Sequence, residues 1–428
     1  MRLSGFAAKI TIIKANKIMK SVNTEIALTH ILTRKKQTIV AAMGVTIGIA
    51  IYICLNTLVI GTNRYSDNAI FKTTPHIRIY KEDEMSKPLV IDNAKRSSTV
   101  IINPKISNIS KNLINPVKLL DEIKRRPEVT SAAQMVSANL FYNNGKSQLN
   151  GNSWGINIAE ANAMFDIQST IVDGDLRTLL NTPNGIIIGV GIADKLSLKR
   201  NDNISVISSI GVIKLMKVVG LFKTSNLATD KGKSYMNLAS AQQLLGQGPS
   251  YVTDIYVNIK NPDQAPEYAR EYGKLTGYTS EDWQTANELF VAGKKIRVIM
   301  FAVISWAILL VAAFGIYNIV NMTITQKMND IAILKANGFS GSDVVKIFVT
   351  EAMIMGIIGT FFGFLLGALI VNLLSHIYIG ADIGYFPIQF ELSVSMTGVW
   401  VGLLVTFGAG YIPARKAANV DPVAIFRK

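Results

Sequence analysis

The sequence predicts an α-helical membrane protein with four transmembrane helices and a large mixed α/β domain between the first and the second. Three observations predict it. Four stretches are free of charge and long enough to cross a hydrocarbon core of about 30 Å: Thr38 to Ile60, Val298 to Met322, Ala352 to Leu374 and Leu392 to Ile412. Lysine and arginine crowd the short segments on one side of them. The long interval between the first two stretches breaks into short apolar runs separated by turn residues, as alternating strands and helices do.

Residues 1–37 are basic, with Arg2, Lys9, Lys14, Lys17, Lys20, Arg34, Lys35 and Lys36 against one acid, Glu25. Within them Phe6 to Ile18 has the pattern of an interfacial helix, and a translation start at Met19 is the competing reading. The first span, 38–60, is too long for a signal peptide and lacks a small-x-small cleavage site, so it reads as an uncleaved anchor.

Residues 61–296 form the large domain. Strands are expected at His76 to Tyr80, Pro88 to Ile91, Val129 to Phe141, Gly185 to Val190, Ile204 to Ser208, Val212 to Val219 and Asp254 to Ile259. Helices are expected at Pro116 to Arg126, Ile192 to Leu196, Leu238 to Leu245 and Pro262 to Leu275. Asn143-Asn144-Gly145 reads as a hairpin turn, and the polar segment Asp92 to Ser110 as a loop or insertion. Trp283 to Arg297 reads as an amphipathic stalk continuous with the second span, 297–322.

The bridge between the second and third spans, 323–343, organises the rest. Gly338 is placed to end a helix, because glycine takes the left-handed cap conformation without strain, and Ser340 or Ser342 with Asp343 starts the next. Met328, Ile331, Ile333 and Leu334 spread around that helix and need cover on more than one side. Two readings follow: a plug gripped by a second protein, or a tight loop without a partner. The third span, 344–374, holds Glu351 near its start, expected to snorkel or to pair with Lys346 or Lys335. It also carries Gly359, Gly363 and Gly367 on one face, for close helix packing within one subunit or between two. A short loop, 375–391, has no Lys or Arg; the fourth span, 392–412, leads to a basic tail, 413–428. The charge asymmetry puts both termini and the bridge in the cytosol.

The net charge of +15 sits largely beside membrane segments, where it suits anionic lipid, and no nucleic-acid-binding pattern accompanies it. Cys54, inside the first span, is the single cysteine, so no disulfide framework or thiolate metal site is expected. Gly145-Lys146-Ser147 and Gly232-Lys233-Ser234 look like ends of phosphate loops, but Leu140 and Leu227 stand where such a loop needs glycine, so both read as turns. His30, His76 and His376 are scattered. No catalytic, cofactor-binding or metal-binding residues are expected.

Several segments resemble a known family: LTRKKQT at Leu32 to Thr38, TPHIRIY at Thr74 to Tyr80, IIIGVGIADKLSLKRND at Ile186 to Asp202, VVGLFKT at Val218 to Thr224 and YMNLASAQQLLG at Tyr235 to Gly246. With NDIAILKANGFS in the bridge and PARKAANVDPVAIFRK at the end, they are similar to the MacB/FtsX superfamily of ABC transporter permeases, most of all the lipoprotein-releasing permeases LolC and LolE. The resemblance implies a bacterial inner-membrane protein whose large domain is a periplasmic MacB-like core, with a cytosolic ABC ATPase as a separate chain. It implies a second permease copy, identical or related, lipoprotein or other outer-leaflet cargo, and a periplasmic carrier or adaptor. It makes Met328, Asp330, Ile331, Ile333, Leu334, Lys335, Asn337 and Gly338 the ATPase-coupling residues. The family more often has Arg-Glu where this chain has Asn329-Asp330. A MacB-type efflux permease with a membrane-fusion adaptor, and an FtsX-like subunit that transmits force without transport, are the alternatives.

Overall fold

The computed structural model describes residues 23–82, 111–224, 226–380 and 383–420. The expected interfacial helix at Phe6 to Ile18, the strand at Pro88 to Ile91 and the insertion from Asp92 lie outside the described residues, as do 421–428. The chain divides into two compact units: Ser66–Ala292, and Met1–Tyr65 together with Gly293–Lys428.

In the helical unit, α1 (residues 23–33) leads through Arg34 into α2 (Lys35–Phe71), whose apolar run begins directly after the basic cluster. The α/β unit then starts with β1 (Ile77–Tyr80) and α3 (Pro116–Lys124), which has proline in its first turn, where no amide hydrogen is needed. Strands β2 (Val129–Asn144) and β3 (Ser147–Ile156) form a hairpin. Its ladder stays paired out to Asn144 and Ser147, so the turn is Gly145-Lys146, one residue later than the sequence suggested, with Gly145 at φ +61°. Next come α4 (Ile158–Phe165), capped by the Asn157 side chain, β4 (Ile171–Gly174), α5 (Thr178–Asn181), β5 (Gly185–Gly189) and α6 (Val190–Leu196). They are followed by β6 (Asn203–Ser208), β7 (Ile213–Phe222), α7 (Leu227–Gly232), β8 (Lys233–Asn237) and α8 (Leu238–Leu244). Then β9 (Asp254–Ile259), α9 (Ala265–Thr276), β10 (Thr279–Asp282) and α10 (Trp283–Ala286) complete the unit.

The strand order is β10-β1-β9-β2-β3-β8-β5-β7-β4, and β6 pairs with both β2 and β7. The ladder β2-β3-β8-β5-β7-β6 therefore closes on itself. β3 with β8 and β5 with β7 are parallel; the other pairs are antiparallel. Alternate residues feed two cores. Val136, Leu140, Ile186, Ile188, Val206 and Val218 meet α6 and α8, while Met135, Trp154, Ile187, Val219 and Phe222 meet α4 and α5. A third core joins β1 and β9 to α3, α9 and Trp283. Each large side chain withdrawn from water here contributes about 1.5–3 kcal/mol.

Two expectations are corrected in this unit. The second Gly-Lys-Ser is not a turn: Gly232 ends α7, and Lys233 and Ser234 are buried in β8, where the run KSYM has its partners in β3 and β5. The stalk is continuous with the second apolar helix only from Glu288 onward, and the turn from Trp283 to Ala286 is separate. Asn287, at φ −124° and ψ 40°, interrupts it, and Trp283 is buried among β1, β9 and α9 residues, with its indole N–H donated to the Pro262 carbonyl.

The helical unit continues with α11 (Glu288–Gln326), α12 (Met328–Ala336) and α13 (Gly341–Ser375), then a two-stranded hairpin, β11 (Tyr378–Gly380) and β12 (Gly384–Tyr385), and α14 (Leu392–Ala418). Four helices, α2, α11, α13 and α14, are long and apolar enough to cross a membrane. The hairpin lies within the segment 375–391, expected as a plain loop. Side chains at Gly359, Gly363 and Gly367 of α13 would stand 2.6, 2.8 and 3.2 Å from the Cβ atoms of Val45, Ile49 and Ile53 on α2. These positions recur every four residues on both helices, so the two backbones approach along one matched stripe.

Candidate functional site

The bridge folds as a helix, a stop and a restart. Lys327, outside helical geometry, separates α11 from α12, and its ammonium reaches Asp330 at 2.6 Å. Gly338 has φ +93°. This lets the Phe339 N–H reach back to the Leu334 carbonyl at 3.1 Å, closing the helix end. Ser340 then caps α13 in a reciprocal box with Asp343: the Asp343 N–H donates to the Ser340 hydroxyl at 3.3 Å, and the Ser340 N–H to the Asp343 carboxylate at 3.2 Å. Hydrogen bonds from Ser340 hold the Asp343 carboxyl below its ordinary pKa, with Lys346 at 3.1 Å adding to the effect.

The eight residues singled out in this stretch divide by side. Ile331, with Ala332, is buried in the core of the helical unit, and Met328 packs against that core. The Lys335 ammonium donates to the carbonyls of Ala418 (2.8 Å) and Val420 (2.6 Å), at the end of α14, where a cation suits the exposed carbonyls. Leu334 is half-buried. Asp330, Ile333, Asn337 and Gly338 are exposed, Ile333 at 48%. The inner side of α12 is thus anchored at several points, and its outer side presents an isoleucine among polar neighbours.

Glu351 pairs with neither expected lysine, since Lys346 is held by Asp343 and Lys335 by the end of α14. It lies buried 3.5 Å from His30 Nδ1 on α1, and that ring rests 6.0 Å from Phe348. Asn23, seven residues before His30, donates to Asp343 at 3.4 Å. Two polar contacts therefore run along α1 and the first turns of α13. Nothing local in the sequence marks α1 as the partner of residues more than 300 positions away. The one available signal was the spacing of Asn23, Ala27 and Ile31, which form its buried stripe. Among the described residues no group of three or more His, Cys, Asp or Glu side chains is placed to hold a metal ion.

Two family models match the chain: the MacB-like periplasmic core domain over residues 38–275, and the FtsX-like permease C-terminal region over 302–422, which contains the bridge and the glycine stripe. The chain belongs to the MacB/FtsX superfamily of ABC transporter permeases. The permease is 25% identical to the lipoprotein-releasing system transmembrane protein LolC of Neisseria meningitidis, over 72% of this chain and 80% of that one. It is 23% identical to the macrolide export ATP-binding/permease protein MacB of Acinetobacter baylyi, over 94% of this chain but 58% of that one. The periplasmic region of MacB from Actinobacillus actinomycetemcomitans aligns with 52% of the permease at 14% identity and a TM-score of 0.32, over 94% of its own length.

Proposed function

We propose that this permease converts ATP hydrolysis by a separate cytosolic ABC ATPase into motion of its exported α/β domain, and that the work releases lipoproteins from the inner membrane toward the outer membrane. The observation that carries the first part is the two-sided bridge helix. Ile331 and Lys335 tie α12 to the membrane helices, and Ile333, Asp330 and Asn337 are left for a partner. An exposed isoleucine ringed by polar groups has the apolar centre and polar rim of a small docking site. The sequence has no phosphate-binding loop of its own, so hydrolysis belongs to the partner.

The charge pattern supports a cytosolic bridge and cytosolic termini. Lipoprotein as cargo is supported by the LolC match, which extends over most of that protein's length. On this reading two permease copies, identical or related, assemble, and a periplasmic carrier takes the cargo. The MacB match over nearly all of this chain favours a second reading, export through a fusion adaptor. In either case Ile333→Asp should abolish co-purification of the ATPase from native membranes while the permease stays folded and inserted. An ATPase still bound to that variant would remove the coupling role. Mass spectrometry of the unaltered complex separates the cargo readings: lipoproteins with a related permease support release, and an adaptor supports efflux.

A further inference from the structure

The bridge helix α12 is joined through the chain to α11 and α13, but not to α2. Helix α1 supplies a link to it from α2. At the break between α1 and α2, the Arg34 guanidinium donates to the side-chain oxygen of Gln326, the last residue of α11. Eleven residues earlier, a helical length of about 16 Å, the Asn23 amide donates to the Asp343 carboxylate in the first turn of α13 at 3.4 Å. Between these points His30 Nδ1 stands 3.5 Å from Glu351 Oε2. The α1 segment therefore touches the chain just before the bridge and just after it. Glu351 is 4% exposed, and neither its Oε2 nor His30 Nδ1 hydrogen-bonds to any other described residue. The two nearby lysines are taken, Lys346 by Asp343 and Lys335 by the end of α14. Among the described residues, His30 is thus the single ionisable partner of a buried carboxyl group.

We propose that α1 is a strap that ties the first span to both roots of the bridge, with His30 and Glu351 as its catch, so that displacement of α12 draws α2 along with α11 and α13. The proposal rests on the coupling role given to α12 and extends it to a helix that the bridge does not reach through the chain. Lys327 alone separates α11 from α12, and residues 337–340 separate α12 from α13, so those two helices follow the bridge by covalent connection. Helix α2 has no such connection. Its close packing on α13, the glycine stripe, starts at Gly359, about two turns deeper than Glu351. The α1 contacts lie nearer the point where a partner would push. They are also polar and buried, and such contacts resist partial displacement. Withdrawing His30 leaves the Glu351 carboxyl alone in an apolar setting, and withdrawing Asn23 removes a donor from the Asp343 carboxylate that caps α13. Ala27 and Ile31, buried on the same stripe as Asn23, hold the rest of α1 down.

The test uses the full-length chain purified with its ATPase, on a Cys54→Ala background that removes the single cysteine. Nitroxides are placed at Thr29→Cys on the exposed side of α1 and Ala336→Cys on the exposed side of α12. Double electron–electron resonance should give one narrow distance at rest, and trapping with ATP and vanadate should leave it unchanged, because strap and bridge travel together. A distance that shifts on trapping would overturn the strap. In His30→Ala and in Glu351→Ala the resting distribution should broaden, and trapping should then shift it. The double variant should be no worse than either single one, as for two groups that act on each other. Resting distributions as narrow in both variants as in the parent, or effects that simply add in the double variant, would overturn the catch. Failure of the coupling role itself reads differently: the ATPase is then absent from the purified complex or still bound to Ile333→Asp. The resting distances need no ATPase and decide on the catch in either case.

Discussion

In the α/β unit the groups hidden from solvent are large: Tyr142, Tyr235, Tyr272, Phe165 and Phe222 are fully buried, and Trp154 stands at the centre of a ring cluster with Phe165, Tyr235 and Tyr256. In the helical unit Phe348, Ile49 and Ile53 are fully buried, and helices also approach where there is no side chain, at Gly359 and Gly363 on α13 and Gly398 and Gly402 on α14, with Ile49 of α2 taken up by both helices. Water rewards the first arrangement, because each buried ring removes apolar area from it. Lipid offers no such reward for hiding a leucine, so helices there gain by bringing backbones together. The two units show one chain meeting two solvents with two kinds of interior.

Four substitutions test that contrast. Phe222→Ala removes a fully buried ring packed 4.9 Å from Tyr235 and should cost about 3–5 kcal/mol, read as a large fall in the melting temperature of the α/β unit. Gly363→Leu must displace Ile49 or the Thr46 carbonyl and should cost about 1–3 kcal/mol in the helical unit, measured by thermal unfolding in detergent. Gly408→Leu on α14 is its control, since nothing lies within 4 Å of a Cβ there. Equal effects of the two would break the argument that close backbones hold this unit together. Lys335→Met strips the donors from the end of α14 and should cost about 1 kcal/mol, with faster amide exchange at the end of that helix.

One further substitution has the opposite sign. The Lys233 ammonium is buried in the α/β unit, 2.7 Å from the centre of the Trp154 ring, with one distant acceptor, the Thr73 carbonyl at 3.4 Å. Burial pushes its pKa well below the ordinary lysine value of 10.5. The unfolded chain therefore binds the proton more tightly, and stability rises with pH up to about 10.5. Lys233→Met should raise the melting temperature at pH 7, with a gain that shrinks as the pH approaches 10. A gain independent of pH would show that packing, not charge, is at issue.

Much of the helical unit was legible because its signals are local. Uncharged runs mark α2, α11, α13 and α14, and the cap at Gly338 and the box at Ser340 need only neighbouring residues. In the α/β unit most strands were legible, but their order was not. β1 lies between β9 and β10, about 180 to 200 residues away in sequence, and no periodicity encodes that. The same limit hid the contact of His30 with Glu351 and the choice of Lys335 for the carbonyls of α14. In the candidate site the sequence singled out the residues, whereas their division into an anchored and an open side depended on where α1 and α14 pack.

Helices α2 and α11 are joined by two polar rungs: the Asn56 amide donates to the Ser305 hydroxyl at 3.2 Å, and the Arg297 guanidinium to the Asn63 side-chain oxygen at 2.7 Å. The rungs are seven residues apart on one helix and eight on the other, two turns in each case. In so apolar a setting a rung half broken costs more than one either made or fully exchanged. Gradual sliding of one helix past the other is therefore penalised at both rungs at once. A shift of one turn would set Asn56 against Phe301 or Leu309, with no partner for its amide, so the rungs hold α2 and α11 to one register and favour their moving together.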